Sequence, residues 1–115
     1  MVNRTLDFNA LTPPTLELTM MDDDHTVLAV TPPTEGEAER VAALGQELQK
    51  VFTAKDATAL QGVYTFIAEL LSHNLNGITV TAEELRDKYR MRQWHLLAFM
   101  QQYVAFLGDI KDAKN

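Results

Sequence analysis

The sequence predicts an α+β fold, mainly α. Period-two alternation of apolar residues is confined to the stretch before Thr31, three-and-four spacing begins after Thr34, and a Pro-Pro pair stands at the join. Of 115 residues, 46% are hydrophobic and 23% charged, which suits one globular domain able to bury a core without metal or disulfide staples. The chain therefore reads as a single domain over 1–115. Residues 1–33 form an extended N-terminal segment and β-hairpin, and residues 34–112 a small bundle of about four helices.

The elements follow in order. Thr-Pro-Pro-Thr occurs at Thr12–Thr15 and again at Thr31–Thr34. Each copy ends one element, because proline fixes φ and removes an amide donor. Between them, Leu16, Leu18 and Met20 alternate with polar residues, Met21 to His25 form a polar turn, and Thr26 to Val30 supply a second strand. Leu6 and Phe8 also alternate, so a third short strand is expected there. Thr34-Glu35-Gly36-Glu37 is a capping box. It opens a helix over about 35–53 with Val41, Leu44, Leu48, Val51 and Phe52 on one stripe. Asp56 caps the next helix, whose stripe is Leu60, Val63, Tyr64, Ile67, Leu70 and Leu71 and which ends by Asn74. Asn76-Gly77 turns the chain, and Ile78-Thr79-Val80 is an extended connector able to pair with the hairpin. Thr81-Ala82-Glu83-Glu84 is a second capping box, opening a short helix to about Tyr89. The last helix, about 92–110, carries Leu96, Phe99, Met100, Tyr103, Phe106, Leu107 and Ile110 on its core side.

Composition excludes several functions. There is no cysteine, hence no disulfide framework, zinc-thiolate site or cysteine nucleophile. Met1–Asp7 contains no apolar run, so no leader peptide is expected. No stretch is apolar enough for a membrane span, and a soluble, cytoplasmic protein is expected. Net charge is −6, divided as −6 over residues 1–40, −3 over 41–85 and +3 over 86–115. Overall acidity argues against a general nucleic-acid binder. The opposed ends suit steering between protein surfaces.

Catalytic and metal signatures are missing. Asp22-Asp23-Asp24-His25 lacks the spacing of a calcium loop and reads as a solvated turn. His25, His73 and His95 have no second ligand at helical spacing. No nucleophile elbow, phosphate loop or dinucleotide fingerprint occurs. The expectation is a non-enzymatic protein without a metal or cofactor. One stretch imitates a functional motif: residues 81–109 read as helix, turn, helix, with Arg86, Lys88, Arg90 and Arg92 near the turn. A DNA-binding regulator is thus an alternative, although Gln93 to Gly108 carries no charge with which to meet phosphate.

The order of these pieces resembles a known family. Leu11 to Leu18, Asp22-Asp23-Asp24, Thr26-Val27-Leu28 and Thr31 to Thr34 lead into a helix. Ile78 to Leu85 and Lys88-Tyr89 follow, and Ala98-Phe99, Tyr103, Phe106-Leu107 and Ile110 close the chain. Over about residues 5–115 this resembles the tail assembly chaperones of long-tailed bacteriophages and prophages. The resemblance implies a protein that binds the tape measure protein, helps recruit tail tube subunits, and is missing from the mature virion. A structural or adaptor phage protein is a further alternative. Such chaperones commonly occur in two lengths related by a ribosomal frameshift. Ala113-Lys114-Asn115 can be encoded by an A-AAA-AAC slippery heptamer, which would make this chain the short form.

Partner contacts are expected around the start of the last helix. Trp94 lies off the core stripe, His95 adjoins it, and Arg90 and Arg92 form a basic patch. Self-association is expected through the short hairpin edge.

Overall fold

The computed structural model describes residues 14–54 and 57–113. The Leu6–Phe8 alternation, the Asp56 cap and Lys114-Asn115 lie outside the described residues, as do the side chains of Val51 and Phe52. Among the described residues the fold is α+β, mainly α. Strands β1 (Leu16–Thr19) and β2 (Val27–Val30) precede helices α1 (Glu35–Ala54), α2 (Ala57–Leu71), α3 (Ala82–Asp87) and α4 (Gln93–Ala113).

The hairpin pairs Leu16 with Val30 and Leu18 with Leu28. Leu28 and Val30 are fully buried, whereas Glu17 and Thr19 on β1 are exposed. A two-stranded hairpin is marginal by itself, and this one is held from its β2 side. The Ala29 N–H donates to Asn76 Oδ1 at 2.8 Å, and the Ala29 carbonyl accepts from the Leu75 amide. The Thr31 amide donates to the His73 carbonyl, and Asn74 forms a bridge with Val30.

Two expectations are corrected here. The segment that joins the hairpin is residues 73–76, not Ile78–Val80. Asn74 decides this, because its Nδ2 donates to the carbonyls of Leu71 and Ile78, both at 2.7 Å, while Oδ1 accepts from the amides of Asn76 and Ile78. That closes a tight loop whose first residues lie along β2, with Gly77 at φ +70° completing the turn. Val80 is drawn back toward α2, where its amide donates to Ser72 Oγ at 2.9 Å. The β2 edge is therefore occupied and is not open for self-association.

The hairpin turn is also less solvated than its three aspartates suggest. Asp22 is buried and accepts from both the Thr26 amide and the Thr26 hydroxyl, while Asp23 and Asp24 are exposed. The Thr26 hydroxyl bond is the main force holding the Asp22 carboxyl below its ordinary value, against the opposing effect of burial. His25 takes φ +50° to let the chain return.

Helix α2 is central, with α1, α3 and β2 all packed on it. Its residues Val63, Tyr64, Phe66, Ile67, Leu70 and Leu71 are buried, because a helix covered on several sides needs a wider apolar surface than one stripe. Leu96, Phe99, Met100, Tyr103 and Phe106 of α4 complete the core. Both capping boxes form. In each, the Thr hydroxyl accepts from the Glu amide three residues on, and the Glu carboxylate accepts from the Thr amide.

Candidate protein-binding surface

The joint between α3 and α4 shapes the candidate surface. Leu85 is fully buried, and its carbonyl accepts from the Met91 amide. Tyr64 of α2 donates its hydroxyl to the Met91 carbonyl at 2.8 Å. Between these anchors Arg90 is forced to φ +56°, a conformation that a non-glycine residue adopts only under such constraint. The chain then turns into α4. There the Arg92 amide donates to His95 Nδ1 at 2.8 Å, so His95 caps a helix that begins without a Ser, Thr or Asp cap.

This geometry leaves a groove of about 320 Å³ between β1 and α4. Leu18, Met20 and Met21 form one wall, Leu71 and Met91 the floor, and His95, Ala98, Phe99 and Gln102 the other wall. Apart from Glu17 at its rim the lining carries no acid, lysine or arginine. Met21 is exposed at this surface, while Met20 and Met91 are buried in the core behind it; methionine is unbranched and polarizable, so the lining can adjust to different apolar side chains. Such a surface can seat a few apolar anchors of an amphipathic helix.

The four residues expected at a partner contact have different surroundings. Trp94 is 66% exposed, with its ring 4.9 Å from that of His95. His95 is half-buried and lines the groove. Arg90 reaches across to Asp23 of the hairpin turn at 3.3 Å, an exposed pair that contributes little to stability. Arg92 is exposed and forms no ion pair among the described residues. The basic patch is thus partly neutralised by the acidic front of the same molecule.

Sequence reasoning missed the groove walls. Met20 belongs to the alternating strand, reads as core and is buried there, and Met21 reads as turn and lies in the bend after β1; neither reading shows that both also border a groove. The signal lay in their adjacency to an uncharged helix, but only the tertiary fold brings β1 and α4 together.

A second, polar cleft lies where α1 begins, lined by Thr34, Glu37, Arg40, Glu69, Ser72 and His73. Its side chains are committed to the fold. The Ser72 hydroxyl is engaged with the backbone of Ala68 and Val80, and Arg40 pairs with Glu69 at 2.9 Å. Glu37 is buried and lies 2.9 Å from His73 Nε2. Burial by itself would raise the Glu37 carboxyl; the Thr34 amide and the hydrogen bond and charge of His73 outweigh it and hold the group below its ordinary value.

Among the described residues no group of three or more His, Asp or Glu could hold a metal ion, and no helix is long and apolar enough to cross a membrane. No protein-family model, curated protein or solved structure matches the chain.

Proposed function

We propose that this protein is a tail assembly chaperone of a long-tailed phage or prophage. It binds apolar helical segments of a tape measure protein in the host cytoplasm, helps recruit tail tube subunits, and is left out of the finished particle. It performs no catalysis and needs no cofactor. The observation that carries this reading is the methionine-lined groove between β1 and α4. A chaperone for a long helical client must accept many related apolar surfaces without demanding one sequence. Flexible thioether walls meet that need better than a rigid pocket. The groove is small, so each contact is weak and exchange along the client is fast, as transient holding requires. The order of sequence motifs supports the same family.

The test is binding of a fluorescent amphipathic helical peptide taken from the tape measure protein encoded nearby. Met21 is 38% exposed and lines the groove, so Met21→Glu places a charge there without entering the core. Binding by the wild type and a loss of about tenfold or more in the variant are expected. A wild type that ignores the peptide, or a variant that binds equally well, overturns the proposal. Salt-sensitive binding to duplex DNA, weakened by Arg90→Ala with Arg92→Ala, would favour the DNA-binding alternative instead.

A further inference from the structure

The outer face of α4 carries a pattern that the groove does not use. From Gln93 to Gly108 the helix has no charged residue, although the solvent face of a surface helix is ordinarily charged. Trp94, Ala98, Gln101, Ala105 and Gly108 are all exposed, and they follow one another at alternating spacings of four and three. That spacing draws one continuous seam along a helix, about 21 Å long at the helical rise. We infer that this seam is a homodimer interface in which two α4 helices pack antiparallel about Gln101.

The occupant is identified by how the seam reads against its own reverse. In an antiparallel pair centred on Gln101, Trp94 lies over Gly108 of the second copy, and Ala98 falls between its exposed Val104 and its Ala105, within about 1.5 Å of the latter along the axis. Gln101 meets its own equivalent, and a carboxamide both donates and accepts, so that pair is self-complementary. The large residue faces the one without a side chain, and the small residues between allow close approach. Beyond the seam ends, Arg92 comes opposite Asp109 of the second copy. Both are exposed and neither has an ion-pair partner within its own chain among the described residues. A parallel pair would instead set Trp94 on Trp94, Arg92 on Arg92 and Asp109 on Asp109. A surface that complements its own reverse is the requirement of a two-fold interface.

Gly108 is compatible with the seam. A Cβ placed there would meet nothing within 4 Å, so packing within the chain does not demand glycine. Glycine inside a helix is nonetheless unfavourable by roughly 1 kcal/mol relative to alanine. The space is open to an approaching indole, as it is open at Gly36, Gly45 and Gly62 on the other helices. The seam shares Ala98 with the groove, whereas Gly108 does not line it, so Gly108→Leu is the variant that separates dimerisation from client binding.

Sedimentation velocity on the full chain tests the inference. At concentrations up to about 100 μM, the range a seam of this size needs, the wild type should run as twice the 12.9 kDa chain. Gly108→Leu should weaken the dimer by about tenfold or more while helicity by circular dichroism stays at least as high, because leucine favours helix. Ala98→Glu with Ala105→Glu should give monomer, and Ala98→Glu with Ala105→Lys should restore the dimer, since each glutamate then faces a lysine only in the antiparallel arrangement. A monomeric wild type overturns the inference, as does a Gly108→Leu dimer of unchanged affinity or a Glu/Lys pair that fails to restore association. Peptide binding that is unchanged in Gly108→Leu keeps this result distinct from the chaperone test.

Discussion

The two Thr-x-x-Glu boxes are the same motif in different places. The side chains of Thr81 and Glu84 bond only within their own pair, at the start of the six-residue α3. Thr34 and Glu37 make the same local bonds, but Glu37 is also buried and paired with His73. Through His73, whose carbonyl accepts from Thr31, the first box joins α1 to the loop that carries the hairpin. Local sequence sets the cap in both cases, and tertiary position decides whether the cap also holds the fold together.

Replacing the glutamates breaks the comparison most directly. Glu37→Ala should lower the free energy of urea unfolding by about 2 kcal/mol, since it removes a cap and with it the buried carboxylate that accepts from Thr34 and pairs with His73. Glu84→Ala should cost about 0.5–1 kcal/mol, the ordinary value of an exposed cap. Equal losses would mean that burial and His73 add nothing to the first box.

How much of this was legible in sequence follows from the same distinction. Both boxes, the stripes on α2 and α4, the described part of the α1 stripe (Val41, Leu44 and Leu48), the hairpin strands and the position of Trp94 off the core stripe are matters of spacing along the chain, so the sequence predicts them. In sequence Asp22 reads as solvated, because its burial depends on Thr26 returning across the turn. The bridge from Asn74 to Val30 was missed because one carboxamide satisfies four backbone groups on a loop, which no periodicity records. The strained Arg90 and the groove were missed for a related reason: each exists only after α2 has fixed Met91 and β1 has come opposite α4. Of the four expected contact residues, His95 lines the groove and Trp94 belongs to the proposed seam. Arg90 is occupied by Asp23, and Arg92, which has no ion-pair partner in its own chain among the described residues, stands beyond the seam end.

The link from Glu37 to His73 can be measured by itself. A double-mutant cycle with Glu37→Gln and His73→Ala should return a coupling of about 1 kcal/mol. The pH dependence has a fixed sign. The folded Glu37 carboxyl lies below its ordinary value of 4.5, so its contribution is complete above that pH and is lost as pH falls through the lower, folded value. The stability gap between wild type and Glu37→Gln should therefore narrow on acidification below pH 4.5. A gap that stays constant into acid would show that the ionised carboxylate contributes nothing beyond its shape.

The burial of Glu37 also has a consequence on α4. The Tyr103 hydroxyl is buried with no hydrogen-bond partner among the described residues. Burial pushes its phenol well above the ordinary tyrosine range, and the negative charge of Glu37 adds to the effect. The ring itself is well used, lying 5.2 Å from Phe99 and 6.0 Å from Phe106 between centroids. Tyr103→Phe keeps that packing and removes an unsatisfied polar atom, so it should leave stability unchanged or raise it by up to about 1 kcal/mol. A loss of more than about 1 kcal/mol would mean that the hydroxyl is hydrogen-bonded in solution. The Glu37 carboxylate is then the acceptor to examine first, and the buried box would extend to α4 as well as to the loop.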